Sequence, residues 1–318
     1  VGSHGTKPHG GEPMLTLFTT AKPFRGHTAI IQRNALMSWK RLHPEAEILV
    51  FGDDEGAAET CRELGLTHIA RVERNEHGTK YLRSIWEPAQ EIARHEIVCY
   101  SNCDIILTRE FARAVERLRA WDRKFLMIGR RWDTDIREAI DFERANWEED
   151  VMAQARAANQ QRGPEWIDYF VFRRGLYRGL PGFVIGRVGW DNWLVWKARQ
   201  EGAAVVDASP SVRAIHQNHD YAYHPEGYQG VWHGAEAQQN YALYESWRCL
   251  NTIDDADWVL EDERLRRTRR RIVTQARREL ARLRSRLWHG VLRATRPVRH
   301  RLGLRQENLR RLMGREAR

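Results

Sequence analysis

The sequence predicts an α/β protein, a mainly parallel sheet flanked by helices, with a basic helical tail appended. Three observations lead there. Short apolar runs of strand length alternate with segments of helical period along most of the chain. The 318 residues, 42% hydrophobic and 30% charged, suit one large globular domain plus an appendage. The charge is also segregated. Residues 261–318 hold 20 arginines and 6 acids, out of 52 basic and 43 acidic residues in all. The tail therefore carries more than the whole net charge of +9, and the body is mildly acidic.

The elements follow in order. Residues 14–20 (MLTLFTT) form an apolar strand ending in hydroxyls. Residues 28–42 have helical period through Ile31, Ala35, Leu36 and Trp39, and Pro44 stops the helix. A second strand over 46–51 (AEILVF) breaks at Gly52-Asp53-Asp54. A helix over 56–64, a short strand over 67–72 and a helix over 79–94 come next. The buried strand 96–100 (EIVCY) runs directly into Ser101-Asn102-Cys103-Asp104. Beyond it the pattern predicts a helix over 111–121, a strand over 124–128 and a polar helix over 143–159. A strand over 167–172, a helix over 191–200 and a strand over 203–207 complete the alternation. Residues 216–234, dense in His, Asn, Tyr and Gly, read as a loop.

Three segments result. Residues 1–13 read as an expression scar, with the native start near Met14. Residues 14–260 form the main domain and 261–318 an Arg-rich amphipathic tail. In the tail Leu265, Ile272, Ala276, Leu280, Leu283, Leu287 and Val291 recur at helical intervals, with Trp288 beside the stripe. Pro297 ends that helix, and a shorter amphipathic stretch runs through Leu302, Leu304, Leu309 and Leu312. No apolar run is long enough to span a bilayer. Cys61, Cys99, Cys103 and Cys249 form no CxxC pair and fit reduced thiols in a cytoplasmic protein. No GxGxxG turn follows the first strand, which excludes the dinucleotide fingerprint.

Candidate site residues cluster after strands, where ligands of open α/β sheets bind. Asp104 can hold a divalent cation that neutralises a leaving diphosphate, or it can cap the helix that starts near Thr108. Magnesium and manganese, hard cations, suit its oxygens. Asp191, in Gly189-Trp190-Asp191-Asn192-Trp193, either caps a helix or takes the proton of an acceptor hydroxyl. Trp190 and Trp193 offer flat faces to an acceptor sugar, or fill a core. Three histidines, His216, His219 and His224, fall close together. His216, next to the predicted strand, is the first choice for a metal or diphosphate contact. His219 is next in line and is otherwise placed on the acceptor side. Thr19, Thr20 and Lys22 after the first strand, and Asn75, Gly78 and Ser84 in the next loop and helix, can face a nucleotide. Taken singly, each reads first as an ordinary turn or helix start.

The order of these pieces resembles GT-A glycosyltransferases, bacterial polysaccharide-type enzymes in particular, over residues 14–260. It runs from a hydroxyl-tipped first strand and FGDD after the second to a nucleotide-facing loop, a degenerate DxD, a GWDNW segment and a late histidine. The resemblance implies a GT-A (Rossmann-like) fold and transfer of a sugar from UDP- or GDP-sugar to a glycan or lipid-linked acceptor, assisted by Mn2+ or Mg2+. Asp104 then matches the last DxD carboxylate, His216 the late histidine and Asp191 the acceptor-side acid. Asn102 departs from the pattern, standing where the first DxD acid is usual; an amide there can still reach a ribose hydroxyl. A metal-dependent carbohydrate or phosphoester hydrolase is the alternative, although no HExxH or paired HxH motif is present. The acidic body and the lack of any nucleic-acid-binding signature argue against a nucleic-acid partner. The tail is expected to meet either an anionic membrane surface, placing the protein on the inner face of the plasma membrane, or a second copy of the chain.

Overall fold

The computed structural model describes residues 15–220, 226–244 and 246–294. The expected scar, His224 and the second amphipathic stretch of the tail lie outside them. The chain divides into two compact units, Val1–Thr268 and Arg269–Arg318.

The first unit begins with β1 (Leu15–Thr20), α1 (Gly26–Lys40), β2 (Glu47–Phe51), α2 (Ala57–Leu64), β3 (Thr67–Ile69) and α3 (Arg83–Ile92). Next come β4 (Ile97–Ser101), β5 (Ile105–Ile106), α4 (Arg109–Arg119), β6 (Phe125–Ile128), β7 (Arg131–Thr134) and α5 (Trp147–Ala158). It closes with β8 (Tyr169–Arg173), α6 (Trp190–Gln200), β9 (Ala204–Asp207), β10 (Ala214–Gln217), α7 (Gly227–His233), α8 (Ala235–Ala242), β11 (Trp258–Glu261) and β12 (Arg264–Arg267).

The main sheet has nine strands in the order β12-β11-β9-β6-β8-β4-β1-β2-β3. All run in one direction except β8, which is antiparallel to both β4 and β6, and the edge strand β12. The mainly parallel α/β class expected from the sequence is therefore present. A smaller sheet, β5-β10-β7, stands beside it.

Strand period 2 explains the layering. Phe18, Leu49, Phe51, Val98, Tyr100, Phe170 and Phe172 point to one face, against α3 and α6. Their neighbours Leu17, Ile48, Val50, Cys99, Tyr169 and Val171 point to the other, against α1 and α4. Trp86 of α3 anchors the first face, stacked on Phe172 at 5.5 Å and on Tyr100 at 5.0 Å between ring centroids. All four cysteines are buried and unpaired.

Three expectations are corrected here. The helix placed over 79–94 starts only at Arg83, because Asn75 Oδ1 accepts bonds from the His77 and Thr79 amides and ties the preceding residues into a turn. Among the described residues of the loop placed over 216–234, His216 and Gln217 end β10, and α7 begins at Gly227. The body does not stop at 260. The hairpin β11–β12 extends the main sheet, and the unit closes at Thr268, so Leu265 belongs to a strand and not to the tail stripe.

The second unit contains α9 (Arg270–Ala294). Its apolar stripe lies open: Ile272, Leu280, Leu283 and Leu287 are each more than half exposed. Among the described residues no helix is long and apolar enough to cross a membrane.

Candidate active site

The carboxyl ends of the parallel strands open into a cleft of about 1160 Å³. Thr20 at the end of β1 and Lys22 beyond it, Asp54 after β2, and Asn102 and Asp104 after β4 line it. Binding at this edge is what a parallel sheet favours, since the chain turns away there and leaves a crevice.

Asp104 sits in the tight turn between β4 and β5, almost fully buried. The small sheet brings two histidines to it. His216 on β10 pairs in register with Ile105 on one side and Asp133 on the other. His219 follows two residues beyond the strand's end. Ligand atoms of Asp104, His216 and His219 all lie within 4.8 Å of one another. Asp104 is not a helix cap; Thr108 holds that position in α4.

The local hydrogen bonding fits a cation. His219 Nδ1 lies 2.7 Å from the Asp220 carbonyl, an acceptor only, so this nitrogen carries the proton in the neutral ring. Nε2 then presents a lone pair, 3.2 Å from the Lys22 ammonium and 3.2 Å from Asp104 Oδ2. The contact with Asp104 sets lone pair against lone pair, an arrangement a shared cation relieves. His216 Nδ1 lies 3.3 Å from Asp133 Oδ1, a charge contact without hydrogen-bond geometry. Asp104 Oδ1 is buried with no hydrogen-bond partner among the described residues. Burial pushes the Asp104 carboxyl up, but whenever the His219 and His216 rings are protonated they join the Lys22 ammonium in outweighing it and hold the group well below the usual carboxylate range, positive charge that a bound cation would supply with both rings neutral. Asp133 responds likewise. Burial raises it, and His216 and Arg131 bring it down to about 2.

A second cluster lies at the β1–β2 end of the cleft. Lys80 is buried against Asp54, and its ammonium also donates to Thr20 Oγ1 at 2.8 Å and the Ala21 carbonyl at 2.7 Å. Burial lowers the Lys80 pKa despite Asp54. Gly52 makes room for this pair: a Cβ there would lie 2.7 Å from Asp54 Oδ2 and 2.9 Å from Lys80 Cε, at a φ of +108°. Arg74 reaches Asp53 and lies 3.7 Å from Asp54.

Asp191 lines the cleft from the first turn of α6. Gly189, at φ +92°, is the N-cap residue, so Asp191 is not a plain cap. Burial and the neighbouring charge of Asp168, working against the helix-start amides, push its carboxyl up to about 7.

Several expected residues are placed elsewhere. Thr19 is fully buried and points away from its cleft-lining neighbour Thr20. Asn75 shapes its turn and donates to Glu236, and Ser84 donates to the Tyr81 carbonyl; neither lines the cleft. Gly78 does line it. Trp193 packs in the core against Phe183 and Trp196, whereas Trp190 is a core residue that also edges the cleft. His219 stands with Asp104 and His216, their ligand atoms within 4.8 Å of one another.

Other cleft residues were not anticipated. Lys80, Arg131, Asp133 and Asp168 are buried ionic groups. Trp166 and Trp232 form an aromatic ledge, 5.1 Å apart between centroids, with Arg131 4.6 Å over Trp166. A signal existed for one of them: Trp132-Asp133-Thr134, a charged residue inside a short strand-like run, marks a buried acid with a job.

No family model matches the chain, and no curated protein matches it. Among solved structures it is similar to the mannosyltransferase PcManGT from Pyrobaculum calidifontis, in complex with GDP-Man and Mn2+. That match has 16% identity and a TM-score of 0.41, and covers 65% of this chain and 57% of that one. It is also similar to glucosyl-3-phosphoglycerate synthase from Mycobacterium tuberculosis, in complex with Mn2+, UDP and phosphoglyceric acid. There the identity is 16%, the TM-score 0.44, and the coverage 76% of this chain and 80% of that one. At this level of likeness, function is read from the cleft's own side chains.

Proposed function

We propose that the chain is a glycosyltransferase of the GT-A type, moving a sugar from a nucleoside-diphosphate sugar to a glycan or lipid-linked acceptor. The observation that carries the reading is the Asp104–His216–His219 group at the carboxyl edge of the sheet, beside Lys22. These three residues would hold a divalent cation. Two imidazoles and one carboxylate favour Mn2+ over Mg2+, which prefers an all-oxygen shell. The bound cation would neutralise charge on a departing diphosphate.

The chain's own groups supply the rest. Lys22 adds positive charge next to Asp104. Thr20, Lys80, Asp54 and Arg74 form a polar pocket at the β1–β2 end, suited to a nucleoside. Asp191, with a carboxyl near 7, is matched to taking a proton from an acceptor hydroxyl at neutral pH. Trp166 and Trp232 offer the acceptor ring the aromatic ledge that Trp193 does not. The neighbour structures' GDP-Man, UDP and Mn2+ agree with this class of ligand.

The tail extends the reading. The exposed leucines of α9, interleaved with arginines, suit the headgroup region of an anionic membrane. That location fits a lipid-linked acceptor in polysaccharide biosynthesis on the cytoplasmic face. A second copy of the chain is the competing partner.

Isothermal titration with UDP-, GDP- and CMP-sugars, with and without Mn2+, tests the central claim. The expected result is binding of one class, strengthened by Mn2+. Mn2+ binding with no affinity for any nucleotide sugar would leave the hydrolase alternative in place and refute transfer.

A further inference from the structure

Asp168 has no part in the reading above, yet it lines the cleft beside Asn102 and Arg131. It arrives there because β8 runs against its neighbours. In a parallel strand the residue before the strand would lie at the far edge of the sheet. Reversal brings it to the ligand edge, where Ser101 pairs with Tyr169 and Asn102 meets Asp168.

Asp168 is held from two sides. Asn102 Nδ2 donates to its Oδ1 at 2.5 Å, and Arg131 Nη1 donates to its Oδ2 at 3.0 Å. Arg131 is itself fixed by Asp133 at 2.9 Å and by the Trp166 ring. The carboxylate cannot swing away. Asn102 is thereby explained: a second acid at 102 would repel Asp168, whereas an amide ties to it. The acid that the degenerate DxD lacks is supplied across the sheet by the next strand.

Geometry ties Asp168 to both ends of the site. It is bonded to Asn102, two residues before Asp104, and it shares the wall of one cleft with Asp191. In the transferase reading, on which this inference rests, the group between the diphosphate and the acceptor is the transferred sugar.

The geometry points to Asp168 as the residue that recognises hydroxyls of the transferred sugar, and to a neutral, hydroxyl-rich sugar as the group carried. An ionised carboxylate only accepts hydrogen bonds and has about four lone-pair sites. Two are used by Asn102 and Arg131, so two remain for ligand O–H or N–H donors. A uronic-acid donor would set its own carboxylate against Asp168 and Asp191.

The test is titration with Mn2+ present, using UDP, UDP-glucose and UDP-glucuronate, and GDP and GDP-mannose. Asp168→Asn should weaken the neutral-sugar nucleotide by about tenfold or more, the scale of a hydrogen bond to a charged group, and change the parent diphosphate less than about twofold. Wild type should disfavour UDP-glucuronate relative to UDP-glucose, and the variant should narrow that gap. Equal losses for diphosphate and sugar nucleotide, or no loss for either, would overturn the assignment while leaving the transferase intact. If wild type binds no nucleotide sugar, the transferase reading fails and this one falls with it. Should Asp168→Asn not fold, a crystal structure of wild type with Mn2+ and the bound sugar nucleotide decides. A sugar hydroxyl within about 3 Å of the Asp168 carboxylate upholds the assignment, and its absence there overturns it.

Discussion

Replacing Asp191 with asparagine should make the protein more stable at pH 8 and a much poorer catalyst. The carboxyl titrates at about 7 in the fold against an ordinary 3.8. The native state therefore holds the proton more tightly than the unfolded chain does. Stability falls as pH climbs from about 4 to about 7, and the full cost persists above that. At about 1.4 kcal/mol per tenfold, the difference sets a ceiling of about 4 kcal/mol. Asp191 is half-buried and faces the open cleft, so solvent screening reduces this to about 2 kcal/mol. An isosteric amide removes the ionisation and leaves the helix start in place. Urea denaturation of both proteins should show the variant gaining about 2 kcal/mol at pH 8 and close to nothing at pH 4. Turnover should drop roughly 100-fold with donor affinity unchanged, and wild-type turnover should rise as pH passes through 7. A gain of the same size at both pH values, or a loss at pH 8, would refute the electrostatic argument. Normal turnover in the variant would remove Asp191 from the chemistry.

Four further outcomes are expected. Asp104→Asn should fold, lose Mn2+ binding by titration, and lose transfer by several kcal/mol of transition-state stabilisation; unchanged turnover would clear Asp104 of a role. Asp54→Ala leaves the Lys80 ammonium buried without its partner and should lower stability by about 3 kcal/mol in urea, whereas a change below about 1 kcal/mol would mean water reaches Lys80. Gly189→Ala places a Cβ 1.5 Å from the Tyr244 hydroxyl at a φ of +92°, and should cost at least about 2 kcal/mol in the same assay. The full chain should co-sediment with anionic liposomes at low salt and release as salt rises, and the double variant Leu283→Asp, Leu287→Asp should stay in solution; retained sedimentation would make α9 a protein-packing helix.

The parallel alternation was legible because a doubly covered strand reads as a short apolar run, as in EILVF and IVCYS, and direction does not alter that pattern. Direction itself was not legible. The run YFVFR looks the same either way, so Asp168 and Trp166 could not be assigned to the ligand edge in advance. Asp104 and His216 could be singled out as candidates because each directly adjoins an apolar strand-like run. Thr19 and Thr20 were indistinguishable by type, and only the pleat separates the buried one from the one that faces the cleft. Trp190 and Trp193 are three apart on one helix, where neighbours share a face, and that face is mostly core. The role of Asp133 depends on β7 lying beside β10, a pairing between residues more than eighty apart in the chain that no local pattern encodes.

An open nine-stranded sheet has two edges, and each offers unpaired backbone groups to any passing strand. One edge, β3, is only three residues long, too short to template a partner. The other, β12, reads Arg-Leu-Arg-Arg, with its arginines largely in solvent. A second molecule docking there in register would stack guanidinium on guanidinium along the seam. These body arginines thus guard the sheet against edge-to-edge fibril growth. Replacing Arg264 and Arg266 with valine would leave the fold's interior untouched and expose a flat apolar β-edge, the kind of surface on which aggregation begins.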